Sequence, residues 1–414
     1  MFKYIINTII IINNILFTSY TFVKYKMGLI SYIDMIKEFC NELSKINIIY
    51  AKMLQWDIFK NILPTNDEIQ DYFTWFNSNV PYTEKDINYE ILNSINLYVK
   101  NTNQTLVFEN NIRPINSGTV ALVFKAKLNG NKVAIKILRK DIHKHIEEGI
   151  TSIISIITVC SFLISIFQSV NSSSLLNIIK SNTKLLLEQT NLKDEISNNE
   201  KFQTTSKKYD IIIPKIYTEF NTISNEFIVM DFLDGISPSV NEPIFLKYSN
   251  SLARFMIESY LIHKFIHSDL HSGNIICLEN GIGIIDFGLV ISITEKEAEY
   301  ISDFIFSIKN TNFKRLVKSL AKIVFDDDNI MIKKFTDLCF TSNKLAPLRD
   351  NFRTFDSKLI LEALQICNSI QINNNHKGVK LLLSIVSCLS IIDMTNHRRL
   401  PITDHLDKIL FTSN

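Results

Sequence analysis

Residues 265–290 read FIHSDLHSGNIICLENGIGIIDFGLV and decide the fold of this 414-residue chain. Asn274 stands five residues after Asp269, and Asp286 follows a second apolar run. Residues 279–281 (ENG) separate the two runs, and this arrangement is typical of a β-hairpin. Because a hairpin returns the chain to its starting edge, we expect the amide and the two carboxylates to lie in one cleft.

The spacing of these residues is the one that protein kinases use for phosphoryl transfer. Kinases place an asparagine five residues after the catalytic aspartate and follow it with a D-F-G tripeptide, which Asp286 begins here. The oxygens of Asn274 and Asp286 suit Mg²⁺, and Asp269 can orient or deprotonate an attacking hydroxyl or water. D-F-G alone matches often by chance, so the prediction of a site for ATP and Mg²⁺ depends on the joint spacing.

Residues 122–138 (LVFKAKLNGNKVAIKIL) predict a second hairpin around an Asn-Gly turn. The V-A-I-K sequence at residues 133–136 matches the kinase strand whose lysine holds the α and β phosphates, so Ala134 and Lys136 are candidate nucleotide contacts. The preceding loop would contribute Gly118, Thr119 and Val123 to nucleotide binding, although only Gly118 of the three glycines usual in the kinase loop is present.

Residues 227–235 (FIVMDFLDG) predict a buried strand followed by a hinge. The backbone of Asp231 and Leu233 could hydrogen-bond the edge of an adenine. Judged alone, the same pattern fits an ordinary core strand equally well.

Together these pieces resemble the UbiB/ADCK group of atypical kinases, which is associated with coenzyme Q biosynthesis and membrane lipid homeostasis. Residues 267–274 (HSDLHSGN) are similar to the family's H-A-D-P-H-P-G-N, and residues 114–124 (PINSGTVALVF) to its alanine-rich loop. Residues 50–64 (YAKMLQWDIFKNILP) resemble its K-x-G-Q helix, with Leu54 in place of the glycine. The resemblance implies that Lys52 and Gln55 cover the nucleotide cleft.

The resemblance also implies an ion-pair partner for Lys136. Residues 195–202 (EISNNEKF) are similar to the family's E-A-x-N-x-x-x-F, which assigns Glu195 as that partner and leaves Glu188 as the reserve choice. The mixed charges of residues 193–208 nevertheless predict a solvated helix and loop.

The predicted fold class is α+β, a protein-kinase-like bilobal fold with an N-terminal helical extension, a helical insertion in the N-lobe and a helical C-terminal lobe. The predicted domains are an apolar segment at residues 1–26, a helical extension at 27–105, an N-lobe at 106–235 and a C-lobe at 236–414. The insertion covers residues 141–187.

Composition limits the partners of the chain. A formal charge of +2 gives no case for nucleic acid, and six cysteines without metal spacing predict an intracellular, reducing compartment. Residues 4–22 and 150–170 are apolar enough to suggest membrane contact; we expect the second to be a buried or membrane-lying helix because it lies inside the N-lobe. Residues 378–392 are shorter and predict C-terminal core.

After D-F-G the chain enters a helix almost at once, with Thr294 and Glu297 as a capping box. The missing activation segment favours a small-molecule, lipid or isoprenoid substrate, or plain ATP hydrolysis, at a membrane surface. A nucleotide-sensing pseudokinase scaffold is the alternative, and a protein Ser/Thr kinase is less favoured. The sequence leaves open whether the chain forms a homodimer.

Overall fold

The structure is a computed structural model that describes residues 17, 20–55, 67–165, 183, 186–206, 208–238, 242–343, 345–346, 349, 378, 381 and 384–385. The chain divides into two compact units. The first unit comprises Met1–Lys193 and Lys215–Phe232, and the second comprises Asp194–Pro214 and Leu233–Asn414.

Helices and strands are numbered in chain order. The helices are α1 (Tyr32–Ile46), α2 (Ile48–Gln55), α3 (Asp67–Ser78), α4 (Tyr89–Asn101), α5 (Ile142–Ser165), α6 (Leu192–Ser206), α7 (Glu242–Leu261), α8 (Glu295–Lys309), α9 (Phe313–Phe325) and α10 (Asn329–Thr341). The strands are β1 (Leu106–Phe108), β2 (Asn116–Ser117), β3 (Ala121–Leu128), β4 (Asn131–Leu138), β5 (Ile211–Ile212), β6 (Phe227–Asp231), β7 (Phe265–His267), β8 (Ile275–Leu278), β9 (Gly281–Ile284) and β10 (Val290–Ser292).

The first unit contains an antiparallel sheet in the order β1-β3-β4-β6, with β2 beside β3. The predicted hairpin is confirmed: Asn129 and Gly130 both have positive φ, 49° and 86°, which a two-residue turn between right-twisted strands requires. Alternate residues of β4 are buried against α4, among them Val133, Ile135 and Ile137. Because side chains alternate along a strand, Lys136 points to the opposite face of the sheet.

The helical extension of the first unit is held by a close approach between α2 and α5. Gly149 of α5 permits it, because a Cβ there would lie 2.5 Å from Asn47 Oδ1 and 2.8 Å from Ile49 Cβ. Asn47 fastens the contact by donating to the His145 carbonyl oxygen at 2.9 Å and accepting from the Ile49 N–H at 2.9 Å. Tyr50 and Ser152 add a hydroxyl pair at 3.2 Å.

In its described residues the second unit has two small sheets, β10-β7 and β5-β9-β8, and the helices α6 to α10. An apolar cluster in this part of the chain joins α7, the β8–β9 hairpin and the amphipathic helices α8 and α9. The predicted capping box at the start of α8 is present: the Glu297 N–H donates to Thr294 Oγ1 at 3.2 Å, and the Thr294 N–H donates to Glu297 Oε2 at 2.7 Å.

One prediction from the sequence is corrected in part. Residues 193–206 are helical, with Lys193, Asp194, Glu200 and Lys201 exposed as predicted, but the helix is not solvated throughout, because α6 buries Glu195, Asn198 and Phe202 at 9% exposure or less. The helix predicted in the stretch 150–170 is present over residues 150–165 as part of α5, which begins at Ile142, and residues 166–170 lie outside the described residues.

Among the helices that the structure describes, none has the length and apolar character needed to cross a membrane. Most of the segments 4–22 and 378–392 lies outside the described residues. The predicted domain boundaries stay a prediction; the compact units place α6 with the second unit, since Asp194–Pro214 belongs there.

Candidate active site

The β8–β9 hairpin brings Asn274 and Asp286 to the same end of the second unit. Ile275 of β8 pairs with Ile284 of β9, and the Ile285 N–H donates to the Asn274 carbonyl oxygen at 3.1 Å. Asp286 follows Ile285 directly in the chain. The register therefore places the amide and the carboxylate on neighbouring positions, as the spacing predicts.

Asp269 joins them at the end of β7. The Asn274 side-chain Nδ2 donates to the Asp269 carbonyl oxygen at 3.0 Å, which closes the loop between the two residues. Within that loop the Gly273 N–H donates to His271 Nδ1 at 3.1 Å. Asp269, Asn274 and Asp286 are all half-buried, so each can reach a ligand from solvent.

His267 tethers the D-F-G tripeptide to the catalytic loop. Its Nε2 lies 2.6 Å from the Asp286 carbonyl oxygen, and its Nδ1 accepts from the Asp269 N–H at 3.3 Å. A carbonyl accepts and an amide N–H donates, so these partners select the neutral imidazole with its proton on Nε2. Burial lowers the pKa of His267, which agrees with the neutral form, although the Asp286 carbonyl opposes the shift.

The D-F-G tripeptide is also held from within and from α6. The Gly288 N–H donates to Asp286 Oδ1 at 2.8 Å, and Asn198 Nδ2 donates to the Phe287 carbonyl oxygen at 3.1 Å. A Cβ built on Gly288 would lie 3.7 Å from Glu195 Oε2, so the buried Glu195 carboxylate stands beside this glycine. The second unit thus brings Glu195 together with Asp269, Asn274 and Asp286.

Phe202 of α6 packs against both halves of this arrangement. Its ring centroid lies 4.7 Å from that of Phe265 and 5.1 Å from that of Phe287, and the His267 ring follows at 5.9 Å. The side chain is 2% exposed. Aromatic packing therefore fixes the position of α6 on the catalytic loop and on the D-F-G tripeptide.

The first unit carries the remaining predicted residues on its sheet. Lys136 is half-buried on β4 between Val123 of β3 and Ile228 of β6, its partners in the two ladders. Ala134 lies two residues earlier on the same face of the strand and is buried. Lys136 and Glu195 belong to different units, so their ion pair stays a prediction.

The loop before β3 has a defined shape at Gly118. Its N–H donates to the Ala121 carbonyl oxygen at 3.0 Å, and a Cβ there would meet no atom closer than that same oxygen at 3.4 Å. The position does not require a glycine, which agrees with the alanine-rich loop of the UbiB/ADCK group that the sequence resembles. Thr119 follows and is buried.

The structure shows which backbone group of Asp231, in the predicted hinge, is already hydrogen-bonded. Its N–H donates to the Lys215 carbonyl oxygen at 2.9 Å, so an adenine contact by Asp231 has to use the carbonyl oxygen. Its carboxylate accepts from the Tyr217 hydroxyl at 2.9 Å, and burial followed by this bond raises the pKa of Tyr217 to about 12. Leu233 belongs to the other unit, where its carbonyl oxygen accepts from the Gly235 N–H at 3.1 Å.

Lys52 and Gln55 lie on α2 with helical spacing, as expected. Lys52 is half-buried. The side chain of Gln55 lies outside the described residues, and the predicted role of both residues over a nucleotide stays a prediction.

The donor set of the second unit fits a magnesium ion that is shared with phosphates. Mg²⁺ in kinase sites takes one or two protein oxygens and completes its shell with phosphates and water. Asn274 Nδ2 already donates to a carbonyl, which directs the amide oxygen to act as the ligand, beside the carboxylate of Asp286. Within the described ranges there is no cluster of three or more His, Cys, Asp or Glu side chains that could hold a metal ion.

The sequence motifs indicate no role for three residues that the structure places at the predicted sites. His267 and Asn198 hydrogen-bond the D-F-G backbone in the second unit. Arg139 is a buried cation of the first unit beside the loop that contains Gly118, and its position just beyond the end of β4, three residues after Lys136, is the available sequence signal.

The chain matches a known protein family. The family model described as ABC1 atypical kinase-like domain matches residues 79–320, which is more than half of the chain. This range contains β1 to β10 and every predicted site residue except Lys52 and Gln55.

Curated relatives carry related descriptions. An uncharacterised aarF domain-containing protein kinase of the Arabidopsis thaliana chloroplast is 24% identical over 269 residues, which cover 62% of this chain and 48% of that protein. A probable protein kinase UbiB of Tolumonas auensis is 23% identical, with coverage of 50% and 39%. The chain spans less than two thirds of the length of these relatives.

Among solved structures, a Mycobacterium tuberculosis protein in complex with erythromycin matches with a TM-score of 0.45 and 13% identity. The match covers 91% of this chain and 96% of that one.

Proposed function

The chain belongs to the ABC1 family of atypical kinase-like domains, and from that premise we propose that it binds Mg-ATP and transfers or hydrolyses the γ-phosphoryl group. The observation that carries the proposal is the convergence of Asp269, Asn274 and Asp286 in the second unit, through the β8–β9 register and the bond from Asn274 to the Asp269 carbonyl. Kinase-like sites work mainly by positioning and charge neutralisation, and these residues supply oxygens for both.

Each residue has a distinct part in the proposed mechanism. Asn274 and Asp286 would hold the magnesium, which when bound supplies the positive charge that neutralises the phosphates. Asp269 accepts the proton of the attacking hydroxyl or water, or orients it. His267 keeps the loop of Asp269 and the backbone of Asp286 in register, because it bonds to both. Lys136 binds the phosphates, and Glu195 is its predicted partner.

The segment after D-F-G supports a substrate other than a protein. Only β10 and a two-residue link separate Leu289 from α8, and the structure describes all of this stretch. A platform for a peptide needs a longer activation segment. We therefore propose a small-molecule, lipid or isoprenoid acceptor, or water.

The membrane part of the proposal is supported by exposed apolar side chains near the start of the described chain. Five of them are between 47% and 69% exposed: Tyr20, Phe22, Val23, Met27 and Leu29. Lys26 lies among them and is exposed, whereas Lys24 is ion-paired with Glu38 at 3.0 Å. Exposed apolar side chains beside a lysine favour an anionic membrane surface.

An ATPase assay with and without anionic liposomes tests the proposed function. We expect Mg²⁺-dependent phosphate release that increases with liposomes and is lost in Asp269→Ala. Asp303→Asn is the matched control, because Asp303 is an exposed carboxylate of the same unit that pairs with Arg315. Release that is equal in wild type and Asp269→Ala would contradict the assignment of Asp269.

A nucleotide sensor without turnover is the second candidate. The specific observation in its favour is the loop of Ser117 and Gly118, where a hydroxyl and a carbonyl are already bound to Arg139. Mg-ATP binding without phosphate release, with or without liposomes, would favour the sensor over the enzyme.

A further inference from the structure

Arg139 is a buried cation at a junction of three segments in the first unit. Its side chain is 1% exposed and forms an ion pair with Asp86, with Nη1 and Oδ1 3.1 Å apart. Arginines are rarely buried unless their donors are all used. The partners of this guanidinium therefore indicate what it is there to hold.

The first set of partners is the loop before β3. Nε and Nη2 of Arg139 donate to the Gly118 carbonyl oxygen at 3.1 and 2.9 Å, and Nη2 also donates to Ser117 Oγ at 3.0 Å. Two donors on one carbonyl fix the orientation of the peptide that follows it. That peptide carries the N–H of Thr119, in the loop predicted to face the phosphates.

The second set of partners lies just after α3. Arg139 donates to the carbonyl oxygens of Pro81 and Val80 at 3.3 and 3.4 Å. Ser117 completes the junction, because its hydroxyl donates to the Val80 carbonyl oxygen and its own carbonyl oxygen accepts from the Val80 N–H at 2.8 Å. The loop and residues 80–81 are therefore bound to each other and to one guanidinium.

Asp86 balances the charge and is itself held in place. Its Oδ2 accepts from the N–H and the hydroxyl of Thr83 at 2.6 and 2.9 Å, which leaves Oδ1 for Arg139. Its carbonyl oxygen accepts from the Lys140 N–H at 2.9 Å. Residues 80–86 are thus attached to the end of β4, the strand of Lys136.

We propose that Arg139 is a positioning residue that couples residues 80–86 to the phosphate loop, so that nucleotide affinity depends on the contact between them. The proposal rests on the proposed function. It follows from the bonds above, because a shift of residues 80–86 would remove Asp86 and the carbonyl oxygens of residues 80–81 as partners of Arg139, the side chain that fixes the Gly118 carbonyl. The coupling also gives a reason for a serine at position 117, since an alanine there could not bridge Val80 and Arg139.

The test uses the full chain and two readouts. Hydrogen exchange in nucleotide-free protein reports the amides of residues 116–121 and Val80, and calorimetry reports the Kd for Mg-ATP. Arg139→Lys keeps the positive charge that pairs with Asp86 but loses the two N–H donors that hold the Gly118 carbonyl oxygen. We expect roughly tenfold faster exchange at these amides and roughly tenfold weaker Mg-ATP binding, the effect of a lost hydrogen bond to a charged group.

Ser117→Ala is the second variant, in case Arg139→Lys does not fold. It removes the bridging hydroxyl alone, and we expect both readouts to change in the same direction by roughly threefold. Lys140→Met is the neighbouring control, because it breaks an exposed ion pair with Glu90. Ile95→Ala is the stability control, because Ile95 is fully buried in the core of the same unit and is not among the partners of Arg139 given above.

The outcomes separate this inference from the proposed function. Wild type that binds Mg-ATP, with both controls binding equally well and Arg139→Lys binding more weakly, supports the coupling. If Arg139→Lys binds with wild-type affinity, or its loop amides exchange at the wild-type rate, the coupling is wrong and the proposed function stands. Wild type that binds no Mg-ATP overturns both.

Discussion

The ring of Phe202 offers a sharp test of how α6 is held in the second unit. Phe202 is 2% exposed and contacts the rings of Phe265, Phe287 and His267. Replacing a buried phenylalanine by alanine costs about 3–5 kcal/mol, since apolar contacts are lost and a cavity is left. We expect Phe202→Ala to lower the free energy of unfolding of this unit by about 4 kcal/mol.

The loss translates into a large thermal shift. In a unit of this size each kcal/mol moves Tm by about 2–4 °C, so Tm should fall by roughly 10 °C. The two tryptophans, Trp56 and Trp75, lie in the first unit, so their fluorescence reports the wrong part of the chain. Far-UV circular dichroism, with hydrogen exchange on α6 and α7, is the suitable assay.

Phe306→Ala is the matched control for this measurement. Phe306 is on α8 of the same unit and is 42% exposed, so its replacement should change stability by about 0.5 kcal/mol or less. We also expect Phe202→Ala to weaken Mg-ATP binding, because the ring supports both the D-F-G tripeptide and the catalytic loop. If Phe202→Ala costs no more than Phe306→Ala, the packing described for α6 is wrong.

Two further predictions concern pH and helix packing. Burial lowers the pKa of His267 below its value near 6.5 in the unfolded chain, so the unfolded chain binds a proton more readily than the folded chain does. The contribution of His267 to the free energy of unfolding should therefore be fully present above about pH 6.5 and should decline as the pH falls below that value. Urea unfolding at a series of pH values should show a flatter decline in His267→Asn and an unchanged one in the exposed control His143→Asn; equal slopes in all three proteins would refute the buried neutral imidazole. Gly149→Ala should destabilise the first unit by about 1–3 kcal/mol, because its Cβ would clash with Asn47, whereas Gly118→Ala should leave stability within about 1 kcal/mol. Thermal unfolding of the pair checks this difference, and equal Tm values would show that α2 and α5 are not packed closely at position 149.

Much of the fold was predictable because its signals are local. The Asn129-Gly130 turn, the hairpin from β8 to β9 and the capping box of α8 each depend on a few consecutive residues. The spacing of Asp269, Asn274 and Asp286 is local in the same sense, since one loop and one hairpin bring them together. The family resemblance is confirmed by the ABC1 match.

The parts that the sequence did not predict depend on distant partners. Arg139 donates to Val80, which lies 59 residues earlier, and no periodicity indicates such a pair. The burial of α6 was missed because its charged residues suggested solvent, whereas Glu195 and Asn198 turn inward toward the D-F-G tripeptide. Gly149 permits the close approach of α5 to Asn47 and Ile49 at the start of α2, and no local pattern in the sequence indicates that contact.

Binding of Mn²⁺ in the presence of ADP, followed by electron paramagnetic resonance, tests the central claim most directly, because the metal reports its own ligands. We expect wild type and the control Asp303→Asn to bind one Mn²⁺ in an ADP-dependent manner and Asp286→Asn to lose that binding. Equal ADP-dependent binding in Asp286→Asn, or none in wild type, would contradict a metal–nucleotide site at Asn274 and Asp286.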